Sequence, residues 1–480
     1  QAEDGIRDSS TSRGLGDVYK RQIQFMPEDS KSKISDWINS NKITEIECLV
    51  PDMTGNARGK FIPANKFLKQ ESRLPEGILA QTVTGEYSDD FWDLLGTIDG
   101  DMLLEPDPAT IRMVPWANEV TGQIIHDCYT KDGKPHEFSS RAILKKILKL
   151  YDQEGLKPII APEMEFYLVE KNPNPGLPLK PPMGRSGRPE TARQSYSIDA
   201  ANEFESFVEG MYSCCDKMNL EVDTLIHESG AAQLEVNFVH GEPLSIADQV
   251  FTFKRAVREI AFKEGMYATF MAKPMASEPG SATHIHQSIL DKESENNIFS
   301  DKEGGYSDQF FHYLGGLQKY SPYVMSLYAP NVNSYRRFTR EISAPINLHW
   351  GYDNRTTGLR VPDSDPVNYR VENRFPGADV NPYLAVAATL ASGYLGMKNS
   401  IKPTEAYTGN AYEQDFDVPR TLEEALRGLQ ENKEISEIFG DKFIQLYTSI
   451  KLVEFEQFNK VISSWEREHL LLNCLLYTSP

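Results

Sequence analysis

The chain has 480 residues, 40% hydrophobic and 10% aromatic, enough apolar material for a large core, so a disordered chain and a disulfide-stapled miniprotein are excluded. Fifty Lys and Arg against 70 Asp and Glu leave a formal charge of −20, the wrong sign for a surface that tracks nucleic-acid phosphates. An anionic ligand must therefore meet local positive charge or metal, and no apolar run reaches the roughly 18 to 20 residues of a membrane-spanning helix.

Gln1 to Gln22 carries neither the apolar stretch of a secretory signal nor an amphipathic period, and is expected to be a non-native, adapter-derived leader, as is Cys474 to Pro480 at the other end. Ser32 to Asn39 reads as a short helix with Ile34, Trp37 and Ile38 on one face. Ile43 to Val50 is an alternating strand, Pro51 to Asn56 supplies turn chemistry, and Lys60 to Pro63 returns the chain as in a hairpin. Lys131-Asp132-Gly133-Lys134 marks a boundary, so an N-terminal domain of residues 23–134 is expected before a C-terminal domain of residues 135–473. Ser139 to Glu154 is helical, with Ile143, Ile147, Leu148 and Tyr151 at spacings of three and four.

Pro173 to Pro189 is a long loop, and within it Gly184-Arg185-Ser186-Gly187-Arg188 is superficially like a phosphate loop but lacks the Lys-Ser/Thr ending. Helices are expected over Ala200 to Met218 and Ile246 to Glu264, and Pro382 to Met397 reads as a buried helix. The five cysteines form no C-x-x-C pair, which fits a reducing cytoplasm; Cys214 and Cys215 read as packing residues.

Four strands carry charged residues with a period of two. Glu163 and Glu165 share a face of Pro162 to Glu170; Gln233, Glu235 and Asn237 share one of Gln233 to Phe238, with Glu228 just upstream. Ala282 to Leu290 presents His284, His286 and Ser288, and Tyr369 to Phe375 presents Arg370, Glu372 and Arg374. One such strand is usually a solvated face. Together, five carboxylates would repel unless cations sit among them, and oxygen ligands with one imidazole suit Mg²⁺ or Mn²⁺. The arginines, with those of Asn333 to Phe338 and Asp353 to Pro362, form an anion clamp, so the pattern points to ATP-dependent activation of a carboxylate.

In chain order, Gly100 to Pro108, Glu163 to Phe166, His227-Glu228 with Glu235, Gly280 to His286, Asn333-Ser334-Tyr335, and Arg370 to Pro376 followed by Asn381 to Leu384 resemble the motifs of the glutamine synthetase superfamily. The resemblance implies an α+β fold: a small N-terminal β-grasp domain, and a large catalytic domain with a curved antiparallel sheet and flanking helices. It implies one divalent metal on Glu165, Glu228 and Glu235 and a second on Glu163, His284 and Glu372. Glutamate would be held by Arg337 and Arg374, beside Gly280 and Glu165; ATP would be served by His286, Ser288, Arg360 and Arg370, with Arg355 near the transferred phosphoryl group. It also implies a homo-oligomer, a dodecamer with active sites between subunits, and neither a nucleic-acid nor a membrane partner.

Where ammonia-using members place a Glu in a Gly-Tyr-Glu-Ala-Pro flap, the chain has Glu341-Ile342-Ser343-Ala344-Pro345, and Gln81 to Tyr87 stands where their ammonium-site Asp-Gly-Ser-Ser segment would be. Gly184 to Arg188, Gln194 to Asp199 and Ile462 to Glu468 are similar to the γ-glutamylpolyamine branch. The expected activity is ligation of the glutamate γ-carboxylate to an organic amine, putrescine or another polyamine. The rivals are ammonia, a monoamine such as methylamine or isopropylamine, and a non-catalytic structural relative.

Overall fold

A computed structural model describes residues 27–471 except 70, 97, 192 and 341–343. Both chain ends singled out above, and Glu341 to Ser343 of the flap, lie outside the described residues.

The expected first helix is α1 (Glu28–Ser40), burying Ile34 and Ile38. The hairpin follows as β1 (Glu45–Pro51) and β2 (Ala57–Pro63), paired antiparallel from Glu45–Pro63 to Pro51–Ala57. With β3 (Ser72–Pro75), β4 (Asp101–Pro106), β5 (Arg112–Met113) and β6 (Thr121–Tyr129) they form a mixed sheet ordered β2-β1-β6-β4-β3, in which β1 and β6 run parallel and β5 pairs with β6.

After α2 (Ser140–Gln153) comes the second sheet, built from β7 (Leu156–Glu170), β8 (Val222–His227), β9 (Gln233–Phe238), β10 (Met266–Thr269), β11 (Thr283–Asp291), β12 (Trp350–Tyr352), β13 (Leu359–Val361) and β14 (Val371–Asn373). Its order is β12-β13-β14-β11-β7-β9-β8, antiparallel except for β12 with β13; β10 pairs with the far end of β7. Helices α3 (Glu205–Met218) and α4 (Pro243–Lys263) cover one face, where Phe166 of β7 meets Phe207 and Phe253 edge-on.

Two expectations change in detail. The helix foreseen over Ala200 to Met218 breaks after Ile198–Asn202, because the Glu203 carboxylate turns away to accept the Ser186 N–H (3.0 Å) while the Glu203 carbonyl accepts from Arg185 (2.9 Å). The Gly184 to Arg188 segment is thus a turn closed on a carboxylate of its own chain. The strand foreseen over Tyr369 to Phe375 is regular only at Val371–Asn373. Cys214 and Cys215 are buried on α3, where burial pushes their thiols up to about 11 and about 12, as packing residues should be.

The core is organised on the buried helix, now α6, after α5 (Asp308–Tyr320). α6 (Pro382–Lys398) is covered on all sides, and its N-cap Asn381 accepts from the Tyr383 N–H at 3.0 Å. It meets α5 backbone to backbone: a Cβ at Gly316 would lie 2.5 Å from the Gly396 Cα, so no side chain fits.

The two sheets are tied by Arg141 of α2, whose side chain is 1% exposed. Its guanidinium reaches Asp107 (2.5 Å) and Asp127 (2.6 Å) of the first sheet's strands and loops, and Asp248 of α4 (2.9 Å), which also accepts from the Tyr383 hydroxyl (2.7 Å). Removing one partner from such a cluster leaves buried carboxylates without compensation. Arg141→Met should therefore lower stability by about 3–5 kcal/mol, read as a fall in the urea midpoint, and adding Asp248→Asn should recover part of that loss.

Candidate active site

Strand register assembles the site. β7 lies between β11 and β9, which sets Glu163 opposite His284 on one side and Asn237 on the other, and Glu165 opposite Glu235. Across the next ladder His286 faces Glu372, and Glu372 in turn faces Arg360 of β13. With side chains alternating at a period of two, these residues all rise from one face. Met164, Phe166 and Leu168, fully buried, take the other.

The acidic groups fall into two knots. Glu163, His284 and Glu372 bring their ligand atoms within 4.8 Å of one another, and so do Glu165, Glu235 and His284, so His284 belongs to both. Glu228, on the bend after β8, stands outside both: its Oε2 accepts from the Ser229 N–H (3.2 Å), and its charge reaches Glu165 and Glu235.

Electrostatics separates the carboxylates into two kinds. Burial, then the charge of Glu228, raises Glu165 to about 8. Burial and the surrounding charges, Glu163 foremost, push Glu235 well above the ordinary range, and Glu228 is raised mainly by burial. Glu163 and Glu372 go the other way. Burial opposes their ionisation, but hydrogen bonds from His284 and His286 outweigh it at Glu163, holding it well below the usual range, and Arg374, His286 and His284 bring Glu372 down to about 2.

Burial and the Arg374 charge lower His284 to about 4, so near neutral pH a neutral Nδ1–H donates to Glu163 Oε2 (3.0 Å). Its Nε2 is buried with no hydrogen-bond partner. A neutral imidazole with an orphaned nitrogen, set between two ionised carboxylates and two held protonated for want of positive charge, is a donor set that fits divalent metal ions.

The arginines divide between the knots and a cleft. Arg374 bonds Glu372 Oε1, and Arg360 bonds Oε2 at 2.7 Å and also holds Asp353. Arg337 is buried, its guanidinium donating to the carbonyls of Phe375 (2.7 Å) and Arg374 (2.9 Å), and burial lowers it to about 10. Gly280 lies against its stem: a Cβ there would stand 2.6 Å from Arg337 Cγ. Beside the knots opens a cleft of about 940 Å³ lined by Glu163, His286, Ser288, Asn297 and Arg370, with Arg360 outside its lining. Arg355 is exposed on the turn between β12 and β13.

Two residues of the site had no distinct role in the sequence reading. Gln233 is buried, and its Nε2 donates to Glu165 Oε2 (3.2 Å) and Gly280 O (3.0 Å), joining the carboxylate knot to the Gly280 segment. Tyr196 has φ of 61° with its N–H on the His227 carbonyl (2.8 Å), and its hydroxyl is raised by burial, then by Glu228, and lowered by Arg355. The alternation marked Gln233 only as a member of a face; the strained backbone at Tyr196 leaves no periodic signal at all.

The glutamine synthetase catalytic-domain family matches residues 137–470. The chain is 34% identical to the γ-glutamylputrescine synthetase of Escherichia coli K12 over 89% of its own length and 92% of that protein. It is 32% identical to a glutamate–isopropylamine ligase from a Pseudomonas species, over 92% and 98% respectively. Its fold superposes on a GmaS complex with ADP at a TM-score of 0.79, with 25% identity, covering 91% of this chain and 99% of that one.

The raised carboxyls carry a pH dependence. Glu165 and Glu235 hold protons in the folded, metal-free chain that an unfolded chain releases, so stability falls as pH rises from the ordinary carboxyl range towards about 8. The depressed groups, Glu163 and Glu372, act below that range. The melting temperature of the metal-free protein should therefore drop between roughly pH 6 and pH 8, while the rise produced by Mg²⁺ grows over the same interval. A Mg²⁺ effect that does not change with pH would count against these carboxyls as its ligands.

Proposed function

As the chain belongs to the glutamine synthetase family and is a glutamate–amine ligase, we propose that its second substrate is an organic amine, putrescine or a related polyamine, rather than ammonia. The observation that carries the chemistry is a carboxylate face left uncompensated at Glu165 and Glu235, with the buried Arg337 and Arg374 close enough for their charges to act on Glu165. The family uses ATP and divalent metal ions. Bound metal would supply positive charge to the transferring phosphoryl group.

The residues of this chain do the rest. Glu165, Glu228 and Glu235 would hold one ion, and Glu163, His284 and Glu372 the other. Arg337 and Arg374 orient glutamate, with the Gly280 backbone allowing close approach. His286, Ser288, Arg360 and Arg370 position the nucleotide, and Arg355 stabilises charge on the phosphoryl group as it moves to the glutamate side-chain carboxylate. The amine then displaces phosphate from γ-glutamyl phosphate.

Support for an organic amine comes from two sides. Ser343 stands where ammonia-using members carry an acid, and relatives similar over most of the chain are named for putrescine and isopropylamine. The proposal extends to a division into domains at residues 134 and 135, supported by a sheet on either side of it. It also extends to a homo-oligomer, supported by exposed Val461, Ile462 and Trp465 at the helix Ser464–Leu470, with the dodecamer and its shared sites resting on the family resemblance.

Phosphate release with glutamate, ATP and Mg²⁺ across a panel of amines should give the highest kcat/KM with a di- or polyamine; ammonia exceeding every amine would overturn the assignment. Glu165→Ala should cut turnover to below about one hundredth with the assembly intact by light scattering. Unchanged turnover would remove Glu165 from the metal set.

A further inference from the structure

Lys254 of α4 is buried to 9% exposure and belongs to neither carboxylate knot. Its Nζ donates to the carbonyls of Ala378 (2.9 Å) and Val380 (3.0 Å) and lies 5.3 Å from the centre of the Phe270 ring. Burial, then the Arg258 charge, lowers its pKa to about 7, so an ammonium is costly to keep there, and an apolar side chain of the same length would serve packing better. What an apolar side chain cannot do is satisfy those two carbonyls.

Both carbonyls belong to the segment between Arg374 and α6, and that segment touches Arg337 and the residues that follow Gly280. Ala378 N–H donates to Ser281 O (3.0 Å), and Gly377 is bridged to Ala282, which fixes the Gly280–Ser281 stretch. Asp379 Oδ2 accepts from Asn331 Nδ2 (2.7 Å) and Ser334 Oγ (2.6 Å), at the start of the turn Val332–Arg336. Arg337 follows that turn, with its N–H on Ser334 O (3.2 Å). Its guanidinium is clasped by the Phe375 and Arg374 carbonyls at the head of the same segment.

We infer that Lys254 is a positioning residue for glutamate: its two hydrogen bonds pin residues 378–380 and so hold Gly280, Arg337 and Arg374 in one arrangement. This rests on the reading of Arg337 and Arg374 as the glutamate grip. Pro376 O accepts from the Thr283 N–H at the head of β11 (2.9 Å), but no hydrogen bond among the described residues joins the segment to His286, Ser288 or Arg370, which line the cleft along β11 and before β14. The signature is therefore selective. A clamp displaced by a fraction of an ångström weakens glutamate binding and orientation and leaves ATP binding alone.

The test compares Lys254→Met, Lys254→Arg, Asp379→Asn and Arg337→Ala in the full-length enzyme, measuring kcat and KM for glutamate and ATP separately, with melting temperature and light scattering as controls. Lys254→Met should raise the glutamate KM about tenfold or more with the ATP KM within about twofold, and Lys254→Arg, which keeps the donors, should recover part of it. Asp379→Asn, which loosens the same segment from its other side, should shift the same constant and serves if Lys254→Met does not fold. If neither variant moves the glutamate KM, or both substrates' KM values rise together, the inference fails. If Arg337→Ala itself leaves the glutamate KM unchanged, it is the reading of the grip that falls.

Discussion

Glu165 stands directly across β7 and β9 from Glu235, both buried, with Glu228 and Glu163 close by. Two unit charges about 5 Å apart at an effective dielectric near 20 repel by roughly 3 kcal/mol, more than one or two hydrogen bonds of about 1 kcal/mol each return. The face must therefore take up protons or cations. Glu372 and Glu163 are answered by arginine and imidazole and stay ionised; Glu165 and Glu235, which lack such neighbours at hydrogen-bonding distance, are the ones pushed up. A ligase that handles two anionic substrates needs that deficit of positive charge, because it makes metal binding favourable where phosphate has to be handled.

The surrounding structure holds this face still. Gln233 ties Glu165 to Gly280, and the Ala282 N–H donates to the same carboxylate oxygen (2.8 Å). Further out, Arg141 draws two aspartates of the first sheet and its loops and one of α4 onto one guanidinium, and Arg255 joins α4 to Glu47 and Gln123 of the first sheet. These links are polar, directional and buried or half-buried, so they fix relative orientation as well as contributing energy.

Much of the site was readable in the chain because a period of two is local information. Glu163 and Glu165 must share a face wherever the strand lies, and the same holds for His284 with His286 and for Glu372 with its flanking arginines. Which strands become neighbours is decided by pairing over more than a hundred residues, as between Glu163 and His284, and no local period carries that. The resemblance to a known family supplied it instead. The roles of Lys254, Gln233 and Arg141 were invisible for the same reason: each acts on partners distant in sequence. The break in the helix before α3 came from a tertiary contact, Glu203 with Ser186, that overrode a continuous helical pattern.

The close approach of α5 and α6 bears on how the molecule comes apart. α6 has no polar side, and over its 17 residues it is an apolar rod about 25 Å long. With Gly316 against Gly396, the two helices cannot separate a little and refill the gap with side chains. A partly opened species would have to show that rod to water. Loss of the scaffold under the carboxylate face should consequently be all-or-none, with the site intact until the whole core gives way.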